Sequence, residues 1–253
     1  MGYSDIQNMI ELSKLIETGN KYFDKGLFID ALELYSEAWK SKEDMSSDNE
    51  RGDISLKISQ CYLYLSNDFE NAKKYANIAI DTHSKINDNV NAANDYMHLG
   101  LIYSENKHKD ESEKAFNEAL KIGEKTDNKS IVAEVYNNLG LLHWKNKKKA
   151  LQCFLTASKI SQEASDITNA VLSFENLGYL SKENGNVKEA LEYFLTGVEI
   201  IESTAKNIKS KDSRNEFKLS YKDIYDDAVS AAMGLSDVDF AMSIASKLKD
   251  GKK

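Results

Sequence analysis

The sequence contains no proline, where ordinary usage of about 5% would place about a dozen in a chain of 253 residues. Proline breaks helix interiors, so its absence removes a common obstacle to uninterrupted helices. Glycine is sparse as well, at 12 residues. No apolar stretch approaches the ~18 residues needed to cross a bilayer, which argues against a membrane partner. The first residues, Met1-Gly2-Tyr3-Ser4-Asp5-Ile6, have neither the basic segment nor the apolar core of a signal peptide. Ile6 also stands where a myristoylation signal has Ser or Thr. The two cysteines, Cys61 and Cys153, lie far apart on apolar helix faces and read as buried free thiols in a reducing compartment. Cytoplasmic location is the expectation.

A basic surplus is missing too. The net charge is −8 and the pI about 5.2, which argues against nucleic acid as a partner. The lysines among residues 247–253 read as a solvated terminus. There is no phosphate loop, dinucleotide glycine fingerprint or paired-cysteine cluster. The four histidines, His83, His98, His108 and His143, have no ligand-type partner at i,i+4, so no metal site is expected. His143 reads as a half-buried neutral imidazole, and the many carboxylates, lying beside lysines, as solvent-facing charge. No catalytic residue and no cofactor are expected.

What the chain does have is a repeat. A small residue followed three positions on by a larger one recurs as Gly19/Tyr22, Ser59/Tyr62, Gly100/Tyr103, Gly140/His143 and Gly178/Ser181. The spacing is 38 to 41 residues. Each anchor is followed by a second signature, spaced four then three: Ala31/Tyr35/Ala38, Ala72/Ala76/Ala79, Ser112/Phe116/Ala119, Ala150/Phe154/Ala157 and Ala190/Phe194/Gly197. Two such patterns per unit describe a helix A, a tight turn and a helix B. The small anchors are expected where the two backbones approach, because a larger side chain there would overpack the contact. The aromatic of helix B is expected to fill the space beneath the next hairpin. A single hairpin cannot bury its apolar face, so the units must stack.

This double signature resembles the tetratricopeptide (TPR) consensus over roughly residues 12–205, with a unit of about 40 residues in place of the usual 34. The longer unit is similar to the repeats of kinesin light chains, of spindle-orientation adaptors and of bacterial peptide-pheromone receptors. Val135-Tyr136-Asn137-Asn138-Leu139-Gly140-Leu141-Leu142 is particularly similar to a kinesin light-chain helix A. The resemblance implies an all-α, TPR-like α-solenoid, a right-handed superhelix of about six hairpins. Five tandem hairpins would occupy residues 1–208. Residues 209–253 would form a degenerate sixth, with one helix of about 22 residues from 211 to 233 and a short last helix over 238–248 carrying Ala241/Ala245/Leu248. Repeat 4 is about two residues short at its turn.

In the family, helix A lines the inner wall and exposes positions six and three before the anchor and one, four and five after it. Those registers select Asn20 and Phe23 in repeat 1 and Asn94, Met97 and Leu101 in repeat 3. In repeat 4 they select Glu134, Asn137, Leu141, Trp144 and Lys145, with Asn138 alongside. Repeat 5 contributes Glu175, Tyr179 and Lys182, with Asn176 alongside. The asparagines can donate and accept together, which suits an extended peptide backbone, and large aromatics are enriched among interface hot spots. The asparagines read equally well as bonds between neighbouring helices, and Trp144 as packing over the shortened turn. The carboxylate-clamp slots hold Ile16, Asn20, Lys57 and Asn94, without the basic set that grips an acidic C-terminal tail.

The resemblance thus implies a non-catalytic scaffold, not an enzyme, that binds a peptide or protein segment in a concave groove; self-association remains open. Two alternatives stand beside it. Ser213-Arg214-Asn215-Glu216-Phe217 and the 40 or so residues around it loosely resemble the connector before CHAT caspase-like peptidase domains, which would make the chain a regulatory arm. A pheromone-receptor-like regulator of a response regulator is the other, although such proteins begin with a bundle or helix-turn-helix and these repeats begin near residue 12.

Overall fold

A computed structural model describes residues 3–41, 47–66 and 68–248, with side chains described for 10–41, 47–65 and 68–248. Among the described residues there are thirteen α-helices and no strand. They divide into two compact units, Met1–Ile131 and Val132–Lys253. The first holds α1 (Tyr3–Asp24), α2 (Phe28–Lys40), α3 (Asp48–Ser66), α4 (Phe69–Lys85), α5 (Asn89–Glu105) and α6 (Lys109–Lys125). Each packs against the next. The second holds most of α7 (Lys129–Leu142), then α8 (Lys147–Glu163), α9 (Ile167–Glu183) and α10 (Val187–Ala205). It closes with α11 (Lys211–Leu219), α12 (Lys222–Gly234) and α13 (Val238–Leu248).

The forty-residue period has a simple origin. Helices α4, α5, α6, α8 and α9 are each 17 residues long, and most turns between them are three residues. In Ile86-Asn87-Asp88 the middle residue has φ 58°; Asn87 N donates to Ser84 O and Asp88 N to His83 O. That pairing caps the carbonyls of α4. Asp88 then accepts from Asn91 N and so starts α5. Thr126-Asp127-Asn128 and Ala164-Ser165-Asp166 repeat the device, with Asp127 at φ 52° and Ser165 at 56°, and with Asn128 and Asp166 as the new caps. A left-handed residue followed at once by a side-chain cap stops one helix and launches the next without proline.

The anchor glycines act differently from the expectation. A Cβ added to Gly19, Gly100, Gly140 or Gly178 would lie under 3.0 Å from the ring of Tyr35, Phe116, Phe154 or Phe194 respectively. The glycine is therefore a seat for the aromatic of its own hairpin, and those rings are 0–1% exposed. Repeat 2 departs in a consistent way. Its aromatic slot is Ala76, its anchor is Ser59, and the ring role passes to His83, which sits against Gly52 instead.

Two expectations about the C-terminal region are corrected. The single 22-residue helix is two helices, because Ser220 Oγ donates to Phe217 O while Tyr221 N turns to Lys218 O. A side-chain hydroxyl competes for the helix carbonyl and the register is lost. The last helix buries Ala241, Ile244 and Leu248, and Ala245 is exposed. The docking of this region was encoded one repeat earlier: a Cβ on Gly197 would collide with Ile224 Cδ1, so α10 carries glycine where the other repeats carry alanine. Glu202 of α10 completes the join, accepting from Tyr225 Oη at 2.7 Å and pairing with the buried Lys218 at 2.9 Å.

Candidate functional site

In the first unit the selected positions are mostly engaged internally. Asn20 Oδ1 accepts from the Tyr35 hydroxyl at 2.7 Å. Phe23 stacks edge-on against Phe28 at 5.2 Å, with Lys57 Nζ 4.2 Å above its ring. Met97 is buried, while Asn94 and Leu101 are partly exposed. Ile16 and Asn20 of α1 and Asp53, Leu56 and Lys57 of α3 line one shallow recess.

Polar groups that sequence reading left unassigned form the centre of this unit. His83 Nδ1 lies 2.6 Å from Asp95 Oδ2, and both side chains are fully buried. Burial pushes the Asp95 carboxyl up to about 6 even though the His83 hydrogen bond lowers it. His98 Nε2 lies 3.0 Å from Ser59 Oγ, which also donates to Ala72 O at 2.6 Å. Burial holds the His98 imidazole down to about 4. The expectation that carboxylates face solvent thus fails at Asp95. The spacing 83-to-95 crosses a turn and two helices, so no local pattern announces the pair.

In the second unit the candidates separate into three groups. Asn137 is 1% exposed; its Nδ2 donates to Asn169 O and its Oδ1 accepts from Ser173 Oγ at 3.0 Å. It bridges neighbouring A helices, the alternative stated for the asparagines above. Trp144 lies beyond the end of α7, in the shortened turn. Its ring meets Phe154 edge-on at 6.1 Å and carries Lys147 Nζ 4.8 Å from its centroid. Lys147 also pairs with Glu183. Leu141, Lys145 and Lys182 are exposed and Asn138 and Glu134 partly so. Burial, then Asp166, raises the Glu134 carboxyl.

The third group is on α9. Glu175 is partly buried, Asn176 is 7% exposed and Tyr179 is 38% exposed. The Asn176 Nδ2 atom is buried without a hydrogen-bond partner, which leaves a donor unsatisfied in a chain that satisfies most others. The Tyr179 hydroxyl donates to Asp227 Oδ2 of α12, and its ring meets Phe194 edge-on at 5.6 Å. Burial, then Asp227, raises the tyrosine. Burial, then Asp227 and Asp223, raises the Glu175 carboxyl. Asp223 and Asp227 were absent from the sequence-based selection. Their i,i+4 spacing, on the side of α12 opposite the buried Tyr225, was the available signal.

Among the described residues no group of histidines, cysteines or carboxylates could hold a metal, and no helix is long and apolar enough to cross a membrane. Cys61 and Cys153 are buried and free, and burial pushes the Cys61 thiol up to about 11.

Comparisons with known proteins agree with the architecture. The tetratricopeptide-repeat family model matches residues 96–125 and 172–204. No curated protein matches the sequence. Among solved structures, the aspartyl phosphate phosphatase F from Bacillus subtilis superposes with a TM-score of 0.72 at 14% identity, over 97% of this chain and 71% of that one. The Rap conjugation gene regulator of plasmid pLS20, solved in complex with the Phr* peptide, gives 0.65 at 19%, over 94% and 73%. A putative kinesin light chain of Podosopora anserina with nearly identical TPR-like repeats gives 0.57 at 17%, over 79% and 97%. The chain therefore carries tetratricopeptide repeats and has the all-α fold of a TPR-like solenoid.

Proposed function

We propose that the chain is a non-catalytic scaffold that holds an extended peptide, or a peptide-like segment of a protein partner, in a concave groove on the A-helix side, working in the cytoplasm without nucleic acid or membrane. The observation that carries this reading is the α9 surface: an unpaired, nine-tenths-buried amide donor at Asn176 flanked by Glu175 and Tyr179. An orphaned buried donor is unfavourable unless a ligand completes it, and a main-chain carbonyl of an extended segment is a suitable acceptor. Leu141 and Lys182 are exposed and Asn138 is partly so, which leaves them free to extend such a groove. That a similar fold was solved with a peptide bound adds support. On this reading five hairpins over residues 1–208 form the binding array and residues 209–253 cap it.

The test is a random-peptide selection against the full chain, followed by fluorescence anisotropy on the peptides recovered. Asn176→Ala combined with Tyr179→Ala should weaken binding at least tenfold, about 1.4 kcal/mol, while circular dichroism stays that of a folded helical protein. Unchanged affinity in the double variant would contradict the groove.

A second reading, a regulator of a response regulator, draws on the likeness to the Rap proteins. It predicts faster loss of phosphate from a phosphorylated receiver domain when the chain is added; an unchanged rate removes it.

A further inference from the structure

The A-helix register three residues before each anchor is Ile16, Leu56, Met97, Asn137 and then Glu175. Charge enters that register only in the last repeat. Glu175 and Tyr179 stand one turn apart on α9, and Asp223 and Asp227 one turn apart on α12, so each pair shares a face of its helix. The hydrogen bond from Tyr179 to Asp227 brings the two faces together. The carboxylates of Glu175 and Asp227 are thus partly buried near one another, with the exposed Asp223 one turn away on α12. The charges acting on Glu175, Asp227 and Asp223, are both negative. The nearby Lys222 is paired within its own helix with Asp226 and also lies within reach of the Asp223 charge, so one lysine faces four carboxylates. Next to Glu175 on α9, the buried Asn176 Nδ2 is without a partner.

Carboxylates that outnumber their counter-ions repel one another and resist burial, and a further cation placed among them relieves both effects. We propose that the junction of α9 and α12 is a cation seat, in which a lysine or arginine side chain of the bound segment inserts between Glu175, Asp223 and Asp227 while Asn176 donates to that segment's main chain. This inference rests on the groove reading and narrows it: the partner segment is basic. The Tyr179 ring, resting on Phe194, offers a flat wall along which the aliphatic stem of such a side chain can lie.

The probes are fluorescein-labelled hexalysine and the same peptide with every side chain Nε-acetylated, titrated into the full chain at about 0.15 M salt, where long-range attraction is screened within ~8 Å. Hexalysine should bind at least tenfold tighter than the acetylated form. The triple variant Glu175→Gln, Asp223→Asn, Asp227→Asn should lose that tenfold preference. A control with the same change in charge on α1 and α2, Glu11→Gln, Asp30→Asn, Glu33→Gln, alters exposed positions and should shift affinity less than twofold. Equal losses in the triple variant and the control would overturn the cation seat. If peptide selection instead recovers segments lacking Lys and Arg whose binding still falls tenfold in Asn176→Ala with Tyr179→Ala, the groove stands and the cation seat falls. If the wild-type chain binds no peptide, both fall.

Discussion

The hairpins α3/α4 and α9/α10 solve one packing problem with different residues. In α9/α10 a phenylalanine lies on a glycine: Phe194 is fully buried against Gly178. In α3/α4 the ring slot has shrunk to Ala76, and the space is managed by polar side chains, Ser59 bonded to Ala72 O and His98, and His83 seated on Gly52 and bonded to Asp95. The first solution is tolerant of pH and intolerant of volume. The second is sensitive to pH as well as to volume, since a Cβ on Gly52 would lie under 3.0 Å from the His83 ring. The A-helix surfaces differ in the same sense: Asn20 is bonded to Tyr35 in the first unit, whereas Asn176 Nδ2 in the second is buried without a partner.

The comparison breaks most sharply at the ring. Phe194→Ala should lower unfolding free energy by about 3–5 kcal/mol in urea denaturation, the range for emptying a fully buried aromatic site. Ala76→Phe, which puts a ring over Ser59, should also destabilise, by overpacking. Gly178→Ala should cost about 1–3 kcal/mol despite the better helix propensity of alanine, because the new methyl meets the ring; adding Phe194→Leu should recover part of that loss. An unaltered midpoint for Gly178→Ala would mean that the ring moves aside freely.

Titration sharpens the other half. His98 has its folded pKa depressed from about 6.5 to about 4, so the stability tied to its neutral form is present above 6.5 and drains away as pH falls towards 4. Asp95 has its folded pKa raised from 3.8 to about 6, so its contribution is present below 3.8 and is lost as pH rises through 6. Between pH 4 and 6 the two oppose each other. His98→Gln should therefore flatten or reverse the loss of stability on acidification, and Asp95→Asn should steepen it, by up to about 1.4 kcal/mol per pH unit for one proton. Parallel pH profiles for both variants would contradict the assignment. The smallest effects belong to exposed ion pairs such as Lys21–Glu17: Lys21→Ala should leave the urea midpoint essentially where it is.

Much of the architecture was legible in sequence because helical hairpins recur with fixed spacing, and each anchor is followed by its signature within 20 residues. The helix pairing, the shortened turn at Lys145 and the buried cysteines follow from that local pattern. The break at Ser220 was not legible, since a serine within an apolar-periodic stretch becomes a stop only when its hydroxyl takes a carbonyl. The site was partly legible. Register selected Glu175 and Tyr179, but the same register selected Asn137, which the next A helix consumes through Ser173 and Asn169. Asp223 and Asp227 come from outside the repeat pattern, on a helix whose approach depends on the one glycine at 197.

The most direct measurement is the side-chain amide resonance of Asn176 in ¹H–¹⁵N spectra during titration with a selected peptide. The account predicts that the Asn176 NH₂ pair moves and exchanges more slowly on binding, while that of Asn137, already bonded, stays in place. Saturable binding with Asn176 unmoved and all shifts confined to α1–α6 would contradict it.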